Sequence, residues 1–145
     1  MAKLLKLRGG TTSQHSSFTG AEREVTVDTD KETLVVHDGS TAGGFPLMRI
    51  TWEVKTSSFN ASAHRGYFVD TSSSAITATL PSSAAIGDTI RFIDHTASFD
   101  SNNLTVARNS HKIQGDASDM TVATERAGFA LVYVNAAQGW LLQEK

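Results

Sequence analysis

The sequence has no cysteine, which removes disulfides, thiolate zinc sites and cysteine nucleophiles together. It has two prolines, and no apolar run approaches the roughly 18 residues of a membrane-spanning helix. The opening, MAKLLKL, holds a hydrophobic element far shorter than a signal peptide requires, and no small-residue cleavage site follows. The protein is therefore expected to be made and used without secretion. Charge is scarce too, at 19% of residues against the roughly 25% of average proteins. Three of the 13 basic residues, Lys3, Lys6 and Arg8, precede the first acid, leaving 10 against 15 over residues 9–145. No basic stripe of the kind that nucleic acid selects emerges. Neither a nucleic-acid partner nor membrane insertion is expected.

What fills the gap is hydroxyl: 16 serines and 17 threonines stand among 39% hydrophobic residues. Many of the latter are β-branched, a mixture that favours strands and turns. No window of 11 or more residues carries a 3.6-residue period. ATERAGFALVYV comes closest, but Gly128 and the β-branched residues after it make a strand the better assignment. An all-β fold follows.

KLLKLRGG reads as a short strand ended by Gly9 and Gly10, TTSQHSS as loop, and FTG as an isolated aromatic anchor at Phe18. EVTVD and ETLVVHD, separated by TDK, form the strongest hairpin of the first half. GSTAGGFP, with three glycines and Pro46, reads as an ordered loop or corner. Residues 51–66 are polar with scattered aromatics, so the organisation is a hairpin module over 1–50, a junction over 51–65 and a second domain over 66–145. That domain offers seven short strands: YFVD, AITATLP, DTIRFID, NLTVAR, DMTVAT, GFALVYVN and GWLLQE. Their regular spacing suggests a β-sandwich or barrel. In DTIRFID, Ile90, Phe92 and Asp94 share one face. In ALVYVN, Leu131 and Tyr133 oppose Val132 and Val134, so both faces are apolar and the strand is central or packs on another subunit. NAAQG turns the last hairpin, with Gly139 suited to a left-handed position and Trp140 a core or interface anchor.

The stretch VTVDTDKETLVVHDG gathers Asp28, Asp30, His37 and Asp38. It lacks the glycine at the sixth place of a calcium loop, and aspartates at such points stabilise turns through their own backbone. The five histidines, at 15, 37, 64, 95 and 111, show no HxH or HExxH spacing. A ring of one histidine on a symmetry axis stays open; otherwise no metal or other cofactor is expected. No phosphate-binding glycine loop and no GxSxG elbow is present. Asp70, Asp88 and Asp94 flank strands as turn caps, and no catalytic residue emerges.

The run LKLRGGTTSQHSSFTGAEREVTVDTDKETLVVHDGSTAGGFPL, residues 5–47, resembles the N-terminal β-prism segment of the phage major tropism determinant family. The residues that carry it are FTG, EVTVDTDKETLVVHDG, and GG before a hydrophobic–proline pair; Arg8-Gly9-Gly10 stands where an arginine pair often precedes GTT. The second half is similar to β-domains in fibre-like proteins of phages that infect cyanobacteria.

The resemblance implies a homotrimeric virion protein, made in the host cytoplasm, of a tail fibre or appendage. It would dock on other virion proteins through one end. The alternatives are a capsid decoration protein and a glycan-binding receptor module in which Trp52, Tyr67 or Trp140 stacks on a host-surface sugar. The Val25 and Val27 face, with Leu34 and Val36, would be buried between three copies, and Thr26 would sit on the more tolerant opposite face. The candidate assembly residues are Phe18, Val25, Val27, Leu34, Val36, Leu131, Tyr133 and Trp140.

Overall fold

The computed structural model describes residues 6–47 and 50–144. It comprises two compact units, Met1–Arg49 and Ile50–Lys145. The first unit is a four-stranded sheet in the order β1-β2-β3-β4, with β1 at Gly9–Gly10, β2 at Val25–Asp28, β3 at Thr33–Val36 and β4 at Phe45–Pro46. The expected hairpin is β2–β3, antiparallel with Val25 opposite Val36 and Val27 opposite Leu34. The two glycines expected to end a strand are themselves the strand β1, parallel to β2. Residues 3–5 of that expected strand lie outside the described residues.

TTSQHSS is not loop throughout: Thr12–Ser16 form a single helical turn, α1. Its cause is local. Thr11 Oγ1 accepts from the Gln14 N–H, and Gln14 Oε1 accepts from the Thr11 N–H, so a capping box fixes the N-terminus of the turn.

The second unit is a sandwich of two sheets, and each sheet keeps two edges rather than closing into a barrel. One sheet is ordered β13-β12-β9-β7-β5 and the other β11-β10-β8-β6. The strands are β5 (Thr51–Lys55), β6 (Phe59–Asn60), β7 (Arg65–Val69), β8 (Ile76–Thr79), β9 (Thr89–Asp94), β10 (Leu104–Ala107), β11 (Met120–Val122), β12 (Gly128–Asn135) and β13 (Gly139–Glu144). All seven expected strands are present. The stretch read as a junction is a correction: β5 and β6 begin the two sheets, pairing with β7 and β8. Their polar residues reflect edge positions rather than a linker.

From β5 to β10 the chain alternates between sheets, one strand to each per turn, so β5, β7 and β9 are mutually parallel, as are β6, β8 and β10. A parallel pair needs a crossover. Here the crossover is a strand of the facing sheet. The winding ends in antiparallel strands: β11 on β10, β12 on β9, and the β12–β13 hairpin. That hairpin turns as expected on Asn135, whose side chain accepts from the N–H groups of Ala137 and Gln138, and on Gly139 at φ +73°. A Cβ on Gly139 would fall onto the carbonyl of Lys112, so the position excludes any side chain.

The core lies between the sheets, with Tyr67, Ile90, Phe92, Leu131 and Trp140 facing Ile76, Ala78, Leu104 and Val106. This corrects three candidate assembly residues. Leu131, Tyr133 and Trp140 are buried within their own chain, because Leu131 and Tyr133 of β12 and Trp140 of the edge strand β13 all face the core between the sheets. Leu131→Ala should therefore lower the unfolding free energy by about 2–5 kcal/mol without first changing the oligomeric mass. Urea unfolding beside light scattering checks this; dissociation at unchanged stability would contradict it.

Candidate functional site

The β2–β3 hairpin carries the candidate site, and its two faces have opposite fates. Alternation places Val25, Val27, Leu34 and Val36 on one face and Thr26, Asp28 and Val35 on the other. The face that the chain covers itself is the second: Thr26, Asp28, Val35 and His37 are all buried. Thr26, expected on the tolerant side, is 1% exposed.

A hydrogen-bonded relay explains how polar groups make that face an interior. His15 Nδ1 lies 3.0 Å from the carbonyl of Thr11, which can only accept, so in a neutral ring Nδ1 holds the proton and Nε2 accepts. The Thr26 hydroxyl then donates to His15 Nε2 at 2.8 Å and accepts from His37 Nε2–H at 2.9 Å. The two imidazoles stack at 6.2 Å, and Phe18 meets His37 edge-on at 5.3 Å. His37 Nδ1 keeps a lone pair with no hydrogen-bond partner among the described residues. Gly20 and Gly44 close over the same ring: a Cβ on either would come within 2.5–2.8 Å of His37 atoms. Gly44 also sits at φ +59°, a conformation glycine tolerates best. His37 is thus stacked on the ring of His15 and bonded to the side chain of Thr26 within its own chain.

The aspartates make turns. Asp28 Oδ1 accepts from the N–H groups of Asp30 and Lys31 at 3.0 and 3.1 Å, and its carboxylate also binds the Thr12 hydroxyl of α1. Burial alone would raise the Asp28 carboxyl, but the Thr12, Lys31 and Asp30 bonds and the Lys31 charge bring it below the usual aspartate value. Asp38 accepts from the N–H groups of Thr41 and Ser40 and from both hydroxyls, which hold it well below that value.

The first face stays open in a single chain. Leu34 and Val36 are each 39% exposed, and Val25 and Val27 are half-buried. The β3–β4 register extends this face: Phe45 lies opposite Val36, and the Leu47 N–H donates to the Leu34 carbonyl. Phe45 and Leu47, both 55% exposed, were missed from sequence. Their alternation around Pro46 was the available signal. Two apolar rows result, Val25–Val36–Phe45 and Val27–Leu34–Leu47.

Phe18 does not belong to them. It lies on the covered side, beneath the Arg8 guanidinium at 5.1 Å, beside a hollow of about 220 Å³ that His15, Gln14 and Thr26 also line. The polar groups there are engaged: Arg8 pairs with Glu24 at 3.2 Å and Gln14 caps α1. Tyr67 and Trp140, two of the three aromatics considered for sugar stacking, are buried in the second unit; Trp52 is 42% exposed. Among the described residues, no three metal-ligating side chains converge.

Residues 5–41 match the family model of the major tropism determinant N-terminal domain. Over 49 residues the chain is 69% identical to the tail fiber receptor-binding protein of Bordetella phage BPP-1, covering 34% of this chain. The chain spans 13% of the length of that relative. Two solved structures, the I1 and P3c variants of the major tropism determinant, are 73% identical over 31% of this chain and 12% of theirs, with a TM-score of 0.31. The resemblance carried by FTG, EVTVDTDKETLVVHDG and GG is borne out. Gly20, His37 and Gly44 of those motifs are one contact.

Thr26→Val keeps the shape but orphans His15 Nε2 and His37 Nε2–H, and should destabilise by about 1–3 kcal/mol for each orphaned group. Chemical denaturation measures it, and an unchanged midpoint would mean that the relay contributes nothing.

The depressed carboxyls set an acid limit. Their contribution is complete above the unfolded aspartate value of about 3.9 and is lost as pH falls below it. The melting temperature should drop between about pH 4 and pH 2, and less steeply in Asp38→Asn. A melting temperature that holds or rises over that range would contradict the assignment.

Proposed function

We propose that this chain is a homotrimeric structural component of a tailed-phage fibre or appendage, with a virion location and a role in host attachment. The observation that carries the reading is the open apolar face of the first unit, on the segment that matches the major tropism determinant N-terminal domain. Val25, Val27, Leu34 and Val36, joined by Phe45 and Leu47, form too large an apolar surface for one small sheet to leave in water. Three copies closing around an axis would form a prism of sheets with these rows inside, and symmetric closure ends the assembly. Docking on other virion proteins completes the role.

The edges of the sheet support closure by faces rather than by strand addition. In the β3–β4 register Pro46 falls at a position whose backbone points to the free edge, where it has no N–H to offer. A proline there blunts an edge against pairing. Of the alternatives, a capsid decoration protein gains no support from the relatives, one of which is named for a tail fiber. A glycan-binding role draws on Trp52 alone, since Tyr67 and Trp140 are buried.

Val36→Asp tests the reading. Val36 is exposed in the single chain, so the fold tolerates a carboxylate there, whereas a seam would bring three together and add like-charge repulsion to desolvation. Light scattering should give three times the chain mass for the parent and one for the variant, with β-type circular dichroism retained. Thr19→Asp, at an exposed position, is the control and should stay trimeric. A monomeric parent at micromolar concentration, or a variant that stays trimeric, would sink the proposal.

A further inference from the structure

We infer that the outer face of the five-stranded sheet in the second unit is a second self-association seam, covered in the assembly by the second unit of another copy. The inference rests on the trimeric reading above.

Strand register defines the face. With Ile90 and Phe92 of β9 turned into the core, the rows crossing the outside are Trp52–Gly66–Arg91–Ala130 and Val54–Phe68–Ile93–Gly128. Across β5, β7, β9 and β12 they hold one charged residue, Arg91, and the first row continues to Glu144 of β13. Trp52 is 42% and Val54 57% exposed, and Ile50, at the start of the same strand, is exposed too. The charges of β5 alternate to the other face: Glu53 binds Lys55 at 2.7 Å and Arg65 at 3.0 Å there. An edge strand that meets only water normally turns charge outward. This one turns out tryptophan and valine.

The Trp52 side chain is already held in place within the chain. The Trp52 indole lies so close over Gly66 that a Cβ there would fall 2.5 Å from it, and its ring is 4.8 Å from Phe68. A rigid aromatic surface loses little side-chain entropy when it is covered.

Two observations select a second copy as the occupant. The apolar rows of the first unit end at Leu47, and those of the second begin at Ile50, three positions on in the chain. Closure of three first units would hold three second units at an effective concentration in the millimolar range, so even a weak face is occupied by its own kind. The chemistry agrees. Permanent self-interfaces are more apolar than transient ones, whereas a sugar site surrounds its aromatic with several hydrogen-bonding groups, and Trp52 has Gly66, Val54 and Phe68 as its neighbours across the face.

The test uses the full chain and its two tryptophans. Trp140 is fully buried, so the difference in acrylamide quenching between the parent and Trp52→Phe reports Trp52. At concentrations where the parent is trimeric, the Trp52 component should be quenched several-fold less than in the urea-unfolded chain. Val54→Lys, an exposed position, should leave the dichroism intact, restore free quenching of Trp52 and weaken the trimer at least ten-fold in dissociation concentration.

A trimer in which Trp52 is freely quenched overturns the inference and leaves the trimeric reading standing. An assembly that survives Val36→Asp but dissociates on Val54→Lys supports the inference and overturns that reading. Protection of Trp52 only after addition of host-surface polysaccharide overturns the inference in favour of a sugar ligand.

Discussion

A four-stranded sheet has two faces, and the described residues of the first unit cover one of them. The cover consists of one helical turn and a few residues on either side of it, laid over Thr26, Val35 and His37. Among the described residues, nothing comparable lies over Val25, Val27, Leu34 and Val36. That shortage fixes much else. The covered face must be satisfied by short segments, which favours small residues and side-chain hydrogen bonds. In the proposed trimer the uncovered face meets other copies, which favours aliphatic residues with no polar group to satisfy.

The choice of a polar interior for the covered side has a physical logic. One helical turn cannot interdigitate with a sheet as a long helix does, so packing alone would leave its position loosely defined. The Thr11–His15–Thr26–His37 chain ties α1 to the middle strand and the middle strand to the end of the next, with every bond 2.8–3.0 Å long. A buried network has few alternatives at low dielectric and so specifies one arrangement. Asp28 repeats the device at the other end of β2, tying the hairpin turn to Thr12. Glycines at 20 and 44 are the steric counterpart, leaving room for an imidazole where any side chain would displace it.

Period-two alternation and turn residues made the strands legible, because each strand announces itself locally. The hairpin register and all seven strands from residue 67 onward emerged this way. Which face is covered did not. Val25 and Val27 were expected to be buried between copies and Thr26 to be tolerant, whereas the face that the chain covers itself holds Thr26 and Asp28, whose polarity is cancelled by partners far away in sequence. The capping box that nucleates α1 was legible as Thr11-x-x-Gln14 but was hidden in a serine-rich stretch. Strands β5 and β6 escaped because edge strands mix polar with aromatic residues. Trp140 was placed between core and interface, and only the packing of the sandwich decides for the core.

The order of strands was the least legible feature, and it bears on assembly. Adjacent strands in sequence belong to different sheets through β5–β10, so each turn of the winding rests on the one before it and leaves an edge for the next. The last turn does not leave its edge bare. Beside β13, the Trp140 N–H donates to the Lys112 carbonyl, the Gln114 N–H to the Trp140 carbonyl, and the Leu142 N–H to Gln114 Oε1. A solenoid needs such a cap at its ends to prevent further stacking. At the first turn, β5 carries no comparable cover among the described residues and shows Trp52 and Val54 instead. The surfaces that can still associate are therefore concentrated where the two units join in sequence, at Phe45 and Leu47 on one side and Ile50, Trp52 and Val54 on the other. Both proposed seams thus share the stretch 45–54 of the sequence.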